Sequence, residues 1–191
     1  MGYKLFNASG SEIVQSDLQD KMEWCQKGEN LELAFLNEFG NEFELILNPD
    51  KATNPTVPDF LYAPSNRLAD LKTQNTPFFK SKKLFGIDPQ FAVTFNKVDL
   101  ERYQKLYPEI LIYYSVSWLA TSIHFDNGAS VKVKPMSGIW GINLKNLLPL
   151  CKESNLHEYI QRKNDNKGNA KSSYVVDLRS KGFKELLLYG I

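Results

Sequence analysis

The chain has few of the residues that build soft-ligand metal sites. Its 191 residues include two cysteines, Cys25 and Cys151, and two histidines, His124 and His157. There is no CxxC pair, which argues against a thiolate zinc site. Such sparse cysteine predicts an intracellular protein with reduced thiols, with a single bridge as the open alternative. We expect both histidines to be structural or exposed.

The sequence also lacks an excess of charge and long apolar runs. The formal net charge is +1, so any basic nucleic-acid groove must be local. The first residues contain no apolar segment typical of a secretory signal. The longest apolar run, near residues 110–120, is too short to span a bilayer. These absences predict a soluble, cytoplasmic protein, and the length predicts a single domain over residues 1–191.

Hydrophobic periodicity and turn signals predict an α+β fold with a mixed central sheet between helices (α/β/α). Residues 3–6 and 12–15 predict a hairpin, and residues 16–19 resemble a capping box. The helix that follows is expected to reach Phe39 and stop at Gly40, with Gly28 as a kink or break. Further strands are predicted at 43–47, 57–62, 68–73, 91–95, 110–118, 123–125, 130–134 and 174–178, further helices at 99–106, 143–150 and 153–162, and a polar loop at 163–173.

The chemistry-bearing residues lie in the predicted hairpin formed by residues 57–62 and 68–73. If its turn is centred between residues 65 and 66, Asp59 lies opposite Lys72 and diagonal to Asp70. Alternation along a strand places all three side chains on one face. The two carboxylates would then be roughly 7–8 Å apart at Cα, close enough to share one ion. Hard oxygen ligands suit Mg²⁺, with Mn²⁺ as the alternative ion.

Pro58-Asp59, a gap and Asp70-Leu71-Lys72 resemble the core motif of the PD-(D/E)xK nucleases. That superfamily includes many restriction enzymes and archaeal Holliday-junction resolvases. Residues 27–32 resemble the helix of its resolvase-like members, in which a glutamate follows a glycine by four residues. The resemblance implies a restriction-endonuclease-like fold, a metal site formed by Glu32, Asp59 and Asp70, and catalysis by these acids with Lys72. It covers a core of about residues 17–120 and leaves a C-terminal α+β extension over about 121–191.

Each part of this pattern has a rival. Pro49-Asp50 is a second Pro-Asp pair, but it lies in a predicted loop. Asp165-Asn166-Lys167 repeats the acid-x-lysine spacing inside the polar loop. Glu29 is the alternative to Glu32. The combination of helix, Pro-Asp strand and Asp-x-Lys strand favours the nuclease interpretation over any single motif.

Several residues beyond the motif are candidates for contacting nucleic acid. Gln74 follows Lys72 by two residues and shares its strand face. Lys80, Lys82 and Lys83 follow Pro77-Phe78-Phe79, so the lysines could meet phosphates and the aromatics could stack on bases. The opposing interpretation is a solvated lysine run beside core phenylalanines. Lys163, Lys167 and Lys171 are a further candidate cluster for nucleic-acid contact, but the polar composition of residues 163–173 favours a plain flexible loop.

The sequence therefore predicts a Mg²⁺-dependent endonuclease that hydrolyses phosphodiester bonds of duplex or branched DNA. Symmetric cutting of a duplex would require a homodimer. The alternative is a nuclease-fold protein that binds nucleic acid or a protein partner without cutting. A small-molecule hydrolase or transferase using the same acids ranks last, because the sequence has no glycine-rich phosphate loop and no Ser-His-Asp set with supporting context.

Overall fold

The computed structural model describes residues 2–13, 21–158 and 172–189, with side chains in the first helix described from residue 30 onward. These residues form a mixed α+β fold with four α-helices and three sheets. The predicted fold class, α+β, is confirmed at this level. Within the described segments, no helix combines the length and the apolar character needed to cross a bilayer.

The largest sheet has six strands and is mixed. Two of its central strands run parallel to each other, and every other neighbouring pair is antiparallel. In spatial order the strands are β13 (Lys184–Tyr189), β10 (Ser137–Asn143), β7 (Leu111–Ser117), β5 (Arg67–Gln74), β4 (Phe60–Tyr62) and β3 (Leu45–Leu47). The parallel pair is β5 and β7. Strands from the C-terminal third, β10 and β13, thus extend the sheet that carries Asp70 and Lys72.

Two smaller sheets flank this central one. The first joins β2 (Glu12–Ile13), β1 (Tyr3–Phe6), β8 (Ser122–Phe125) and β9 (Ser130–Lys132) in that order, all antiparallel. The second joins β11 (Leu156–His157), β12 (Ser173–Asp177) and β6 (Ala92–Asn96), also antiparallel. The predicted hairpins around residues 7–11 and around Asn127-Gly128 are both present.

Helices cover both faces of the central sheet. The described residues form the helices α1 (Lys21–Phe39), α2 (Ser81–Phe85), α3 (Lys97–Leu106) and α4 (Leu144–Glu153). Residues of α1, α3 and α4 contribute to the cores on these faces. Phe35 and Phe39 of α1 pack on one face, in a cluster with Leu71. Tyr103 of α3 and Leu147 of α4 belong to the core cluster of the other face. Successive strand residues alternate between these two cores, because side chains along a strand point to opposite faces.

The structure corrects several predicted boundaries. Helix α1 continues through Gly28, so this glycine does not divide it, and the helix ends before Gly40 as predicted. The strand predicted from residue 57 begins at Phe60. The helix predicted over 153–162 is wrong at residues 156–157, which form a strand paired with β12, and residues 159–162 lie outside the described residues. The predicted capping box at 16–19 and most of the polar loop at 163–173 lie outside the described residues.

Candidate active site

The hairpin that carries Asp59 and Asp70 has a different register from the predicted one. Phe60 pairs with Ala69 and Leu61 with Leu68, which leaves a four-residue turn over residues 63–66. The observed register therefore differs from the predicted one by two residues, and Asp59 immediately precedes the paired strand instead of pairing with Lys72. Asp70 contacts Tyr103 of α3, whereas Asp59 contacts Lys51, which also contacts Glu32 of α1, the helix on the other face of the sheet.

Asp59 lies next to the Asp-x-Lys strand. Its Oδ2 accepts a hydrogen bond of 2.9 Å from the backbone N–H of Leu71. Burial raises the pKa of Asp59, and the charge of Glu32 raises it further, while Lys51 and the Leu71 N–H oppose the rise. The carboxylate of Asp59 is therefore fixed beside β5 and lies close to the carboxylate of Glu32.

Asp70 is the most buried acid of the set, with its side chain 4% exposed. The hydroxyl of Tyr103 donates a 2.6 Å hydrogen bond to Asp70 Oδ1. Asp70 Oδ2 lies 2.8 Å from Lys72 Nζ. Desolvation raises the pKa of Asp70 to about 6, against the opposing charge of Lys72. The nearby negative charge of Asp59 adds to that rise.

Lys72 shares the strand face of Asp70, as alternation predicts, but its ammonium has a second acidic neighbour. Nζ lies 2.8 Å from Asp70 Oδ2 and 2.8 Å from Asp99 Oδ2 of α3. Arg102 Nη2 donates a 2.9 Å hydrogen bond to the other oxygen of Asp99. Burial alone would lower the pKa of Lys72, but Asp70, Tyr103 and Asp99 outweigh it, and the pKa is raised well above its usual value. Lys72 is therefore protonated and is fixed between the carboxylates of Asp70 and Asp99.

Glu32 and Asp59 meet through Lys51. This lysine lies in a 3₁₀ turn, Pro49–Ala52, and its ammonium contacts Glu32 Oε2 and Asp59 Oδ1. The side chains of all three residues are at most 19% exposed. Glu29, the alternative to Glu32, lies among residues whose side chains are outside the described part of the chain.

The four predicted site residues thus belong to two adjoining groups. One group is Glu32, Lys51 and Asp59, and the other is centred on the Asp70–Lys72 ion pair. The hydrogen bond from Leu71 N–H to Asp59 joins the groups along β5. Lys51 was missed by sequence reasoning although it adjoins the rival Pro49-Asp50 pair. Asp99, Arg102 and Tyr103 were also missed, because a helix residue's partner on a distant strand leaves no local signal.

The candidate nucleic-acid contacts lie further along the same region. Gln74 is occupied by the backbone: its Oε1 accepts from Thr94 N–H and its Nε2 donates to the carbonyls of Thr76 and Ala92. It lines a pocket with Phe78 and His157. The three lysines predicted to contact nucleic acid are exposed around α2; these are Lys80, Lys82 and Lys83.

The donor atoms of this site have the chemistry that a divalent metal requires, although they are not gathered into a metal cluster. Carboxylate oxygens are the ligands that Mg²⁺ and Mn²⁺ prefer. Yet among the residues that the structure describes, no three His, Cys, Asp or Glu side chains converge as a ready metal cluster. The cations between the acids are ammonium groups, one from Lys51 and one from Lys72. The donor chemistry therefore fits a hard cation, with Glu32, Asp59 and Asp70 as the residues that would hold it.

Comparisons with known proteins add no relative from which a role could be transferred. The arrangement itself can hold positive charge at two adjoining points, one at Asp59 beside β4 and one at Asp70 on β5. It also keeps the ammonium of Lys72 protonated beside Asp70. No family model, curated protein or solved structure matches this chain.

Proposed function

We propose that this chain is a Mg²⁺-dependent endonuclease of the PD-(D/E)xK type, with a restriction-endonuclease-like core, that hydrolyses phosphodiester bonds in DNA. The observation that carries the proposal is the Asp70–Lys72 pair on one face of a central strand, with Asp59 hydrogen-bonded to the residue between them. Helices on both faces of the mixed sheet are compatible with the α/β/α core that the motif implies.

The three acids and the lysine of the motif have different roles in this function. Glu32, Asp59 and Asp70 supply the carboxylates for the cation. A bound Mg²⁺ would stabilise negative charge on the phosphoryl oxygens and acidify the attacking water. Lys72 is held protonated by Asp70 and Asp99, so it acts as a hydrogen-bond donor that stabilises developing charge rather than as a base. The exposed cations Lys80, Lys82 and Lys83 are available to DNA phosphates.

The experiment mixes the purified chain with plasmid, branched and single-stranded DNA, with Mg²⁺, with Mn²⁺ or with chelator. We expect metal-dependent cutting that falls at least about 100-fold in Lys72→Ala, the usual cost of removing a donor to the transition state. Lys72→Met, which keeps the apolar stem, guards against a loss caused by unfolding. Lys97→Ala is the matched control, because Lys97 has only a 3.7 Å ion pair with Glu101 at the surface. Equal cutting by Lys72→Met and the wild-type chain would refute the assignment.

A second function is favoured by one specific observation. The ammonium of Lys72 is also held by Asp99, which lies outside the motif, and Arg102 neutralises Asp99 in turn. Such a closed network suits a nuclease-fold protein that binds nucleic acid or a protein partner without cutting. Calorimetry separates the two functions: absence of Mg²⁺ and Mn²⁺ binding, together with DNA binding that leaves the DNA intact, favours the second.

A further inference from the structure

Lys51 occupies the space between two acids that the proposed function assigns to the metal. Its ammonium contacts Glu32 and Asp59 together, and its side chain is 15% exposed. The neighbouring group has a similar character, since Lys72 is bridged by Asp70 and Asp99. The Lys51 group differs in one respect: both of its acids belong to the predicted metal set. An ammonium therefore stands where the proposed cation would interact.

The chain around Lys51 holds it there. Asn48 is buried, and its Oδ1 accepts from Asp50 N–H at the start of the 3₁₀ turn. The side-chain amide of Asn48 donates to the carbonyl of Pro58, and its backbone N–H donates to the carbonyl of Asp59. The turn that carries Lys51 is thus fastened to the segment that carries Asp59. This geometry makes the contact a built feature rather than the chance reach of a long side chain.

Electrostatics make Lys51 and a divalent ion mutually exclusive partners of these acids. Two ionised carboxylates repel each other, and one ammonium offsets only part of that repulsion. A divalent ion offsets more, but its approach places two positive charges against a partly buried ammonium, where screening by water is weak. Binding of the ion must therefore be coupled to movement of the lysine.

We propose that Lys51 is a built-in competitor for the divalent cation, whose ammonium holds Glu32 and Asp59 together until the ion displaces it. This inference rests on the proposed function, because it takes the two acids as part of the cation site. It makes Lys51 the residue that weakens metal affinity, and it links metal binding to release of the Lys51 side chain from the two acids. In the resting site the chain's own amine consequently offsets one of the two negative charges.

The test measures Mn²⁺ binding by calorimetry and by the metal-induced shift in melting temperature. Lys51→Met removes the charge and keeps the stem, and Lys51→Arg keeps the charge. Lys4→Met is the matched control, since Lys4 has a 2.8 Å ion pair with Glu12 but lies far more exposed at the surface. We expect Lys51→Met to bind Mn²⁺ at least about ten-fold more tightly than the wild-type chain. Lys51→Arg and Lys4→Met are expected to bind it like the wild-type chain.

The outcomes separate this inference from the proposed function. Equal Mn²⁺ affinity in Lys51→Met and the wild-type chain, with DNA cutting intact, would overturn the role of Lys51 alone. Absence of Mn²⁺ binding in both proteins would overturn the inference and the nuclease together. Weaker binding by Lys51→Met would also overturn the inference, because it would make the lysine a support of the site.

A measurement on the wild-type chain covers the case in which Lys51→Met does not fold. Reductive methylation followed by mass spectrometry reports how accessible each lysine amine is. We expect labelling of Lys51 to rise several-fold when Mn²⁺ is added, because the ion releases the amine. Labelling of Lys4 is expected to stay constant. Unchanged labelling of Lys51 at saturating Mn²⁺ would contradict the displacement.

Discussion

Removing one hydroxyl from either of two buried tyrosines should change stability in opposite directions. Tyr103 and Tyr114 are each 1% exposed and belong to the same core cluster. The hydroxyl of Tyr103 donates to Asp70 at 2.6 Å and lies 3.3 Å from Arg102 Nη2. The hydroxyl of Tyr114 is buried without a hydrogen-bond partner among the residues that the structure describes. The two residues thus offer the same chemical change in two polar environments.

The magnitudes follow from these contacts. Tyr103→Phe leaves Asp70 Oδ1 buried without its donor, and a hydrogen bond to an ionised group is worth about 1.5–3 kcal/mol. Tyr114→Phe removes an unpaired hydroxyl whose burial costs about 1–3 kcal/mol. We therefore expect Tyr103→Phe to lower the free energy of unfolding by about 2 kcal/mol and Tyr114→Phe to raise it by about 1 kcal/mol.

Urea unfolding at pH 7.5 with chelator, followed by tryptophan fluorescence, measures both changes. An unchanged m-value, which is the slope of the unfolding free energy against urea concentration, would show that the variants expose the same surface on unfolding as the wild-type chain. Tyr107→Phe is a control on the same stretch of chain, since its ring packs against Tyr103 at 6.0 Å, and we expect a change within about 0.5 kcal/mol. Equal losses in Tyr103→Phe and Tyr114→Phe would refute the reasoning, because burial alone would then decide the cost.

Two further predictions concern the pH dependence and the core. The pKa of Asp70 is raised from 3.8 to about 6 in the folded state, so folding binds a proton between these values and the stability from this residue falls as pH rises. Comparing urea unfolding of the wild-type chain and Asp70→Asn from pH 4 to pH 7, we expect the wild-type chain to lose on the order of 3 kcal/mol relative to the variant; a flat difference would contradict the raised pKa. Leu147→Ala should lower the free energy of unfolding by about 2–5 kcal/mol, because Leu147 is fully buried in the core. The same substitution at the exposed Leu119 should change it by less than about 0.5 kcal/mol, and equal effects at the two positions would argue against the core assignment.

The strands that the sequence predicted well are those whose side chains suit a sheet regardless of neighbours. The segment over 110–118 is rich in Ile, Tyr and Val, and it forms β7 with bounds one residue inside the prediction at each end. By contrast, β10 was missed because it contains Gly138 and Gly141, which weaken a strand signal. The structure supplies the reason for Gly138: a Cβ there would lie 2.7 Å from the carbonyl oxygen of Leu187 on the neighbouring strand. Close strand approach is a tertiary cause that no local pattern reports.

The candidate site was also predictable only in its local features. The common face of Asp70 and Lys72 could be predicted, because alternation is a local property of a strand. The hairpin register could not, because the four-residue turn depends on backbone conformation, including Asn66 with φ of 54°. The ion pairs of Lys51 and Lys72 with Glu32 and Asp99 join residues from separate elements. Sequence spacing selected Glu32, Asp59, Asp70 and Lys72, whereas only three-dimensional packing revealed Lys51 and Asp99 as ionic partners of this set.

The parallel pairing of β5 with β7 has a consequence for how the chain acquires its ionic cluster. Strands β3, β4 and β5 can associate as an antiparallel meander soon after synthesis, because their connections are short. The parallel neighbour of β5 and the helix bearing Asp99 and Tyr103 arrive only after residues 75–96 have emerged. In a nascent chain that ends before α3, the carboxylate of Asp70 and the amine of Lys72 therefore remain hydrated. We therefore expect these charges to lose water only when α3 docks, and transient undocking of α3 would return them to water.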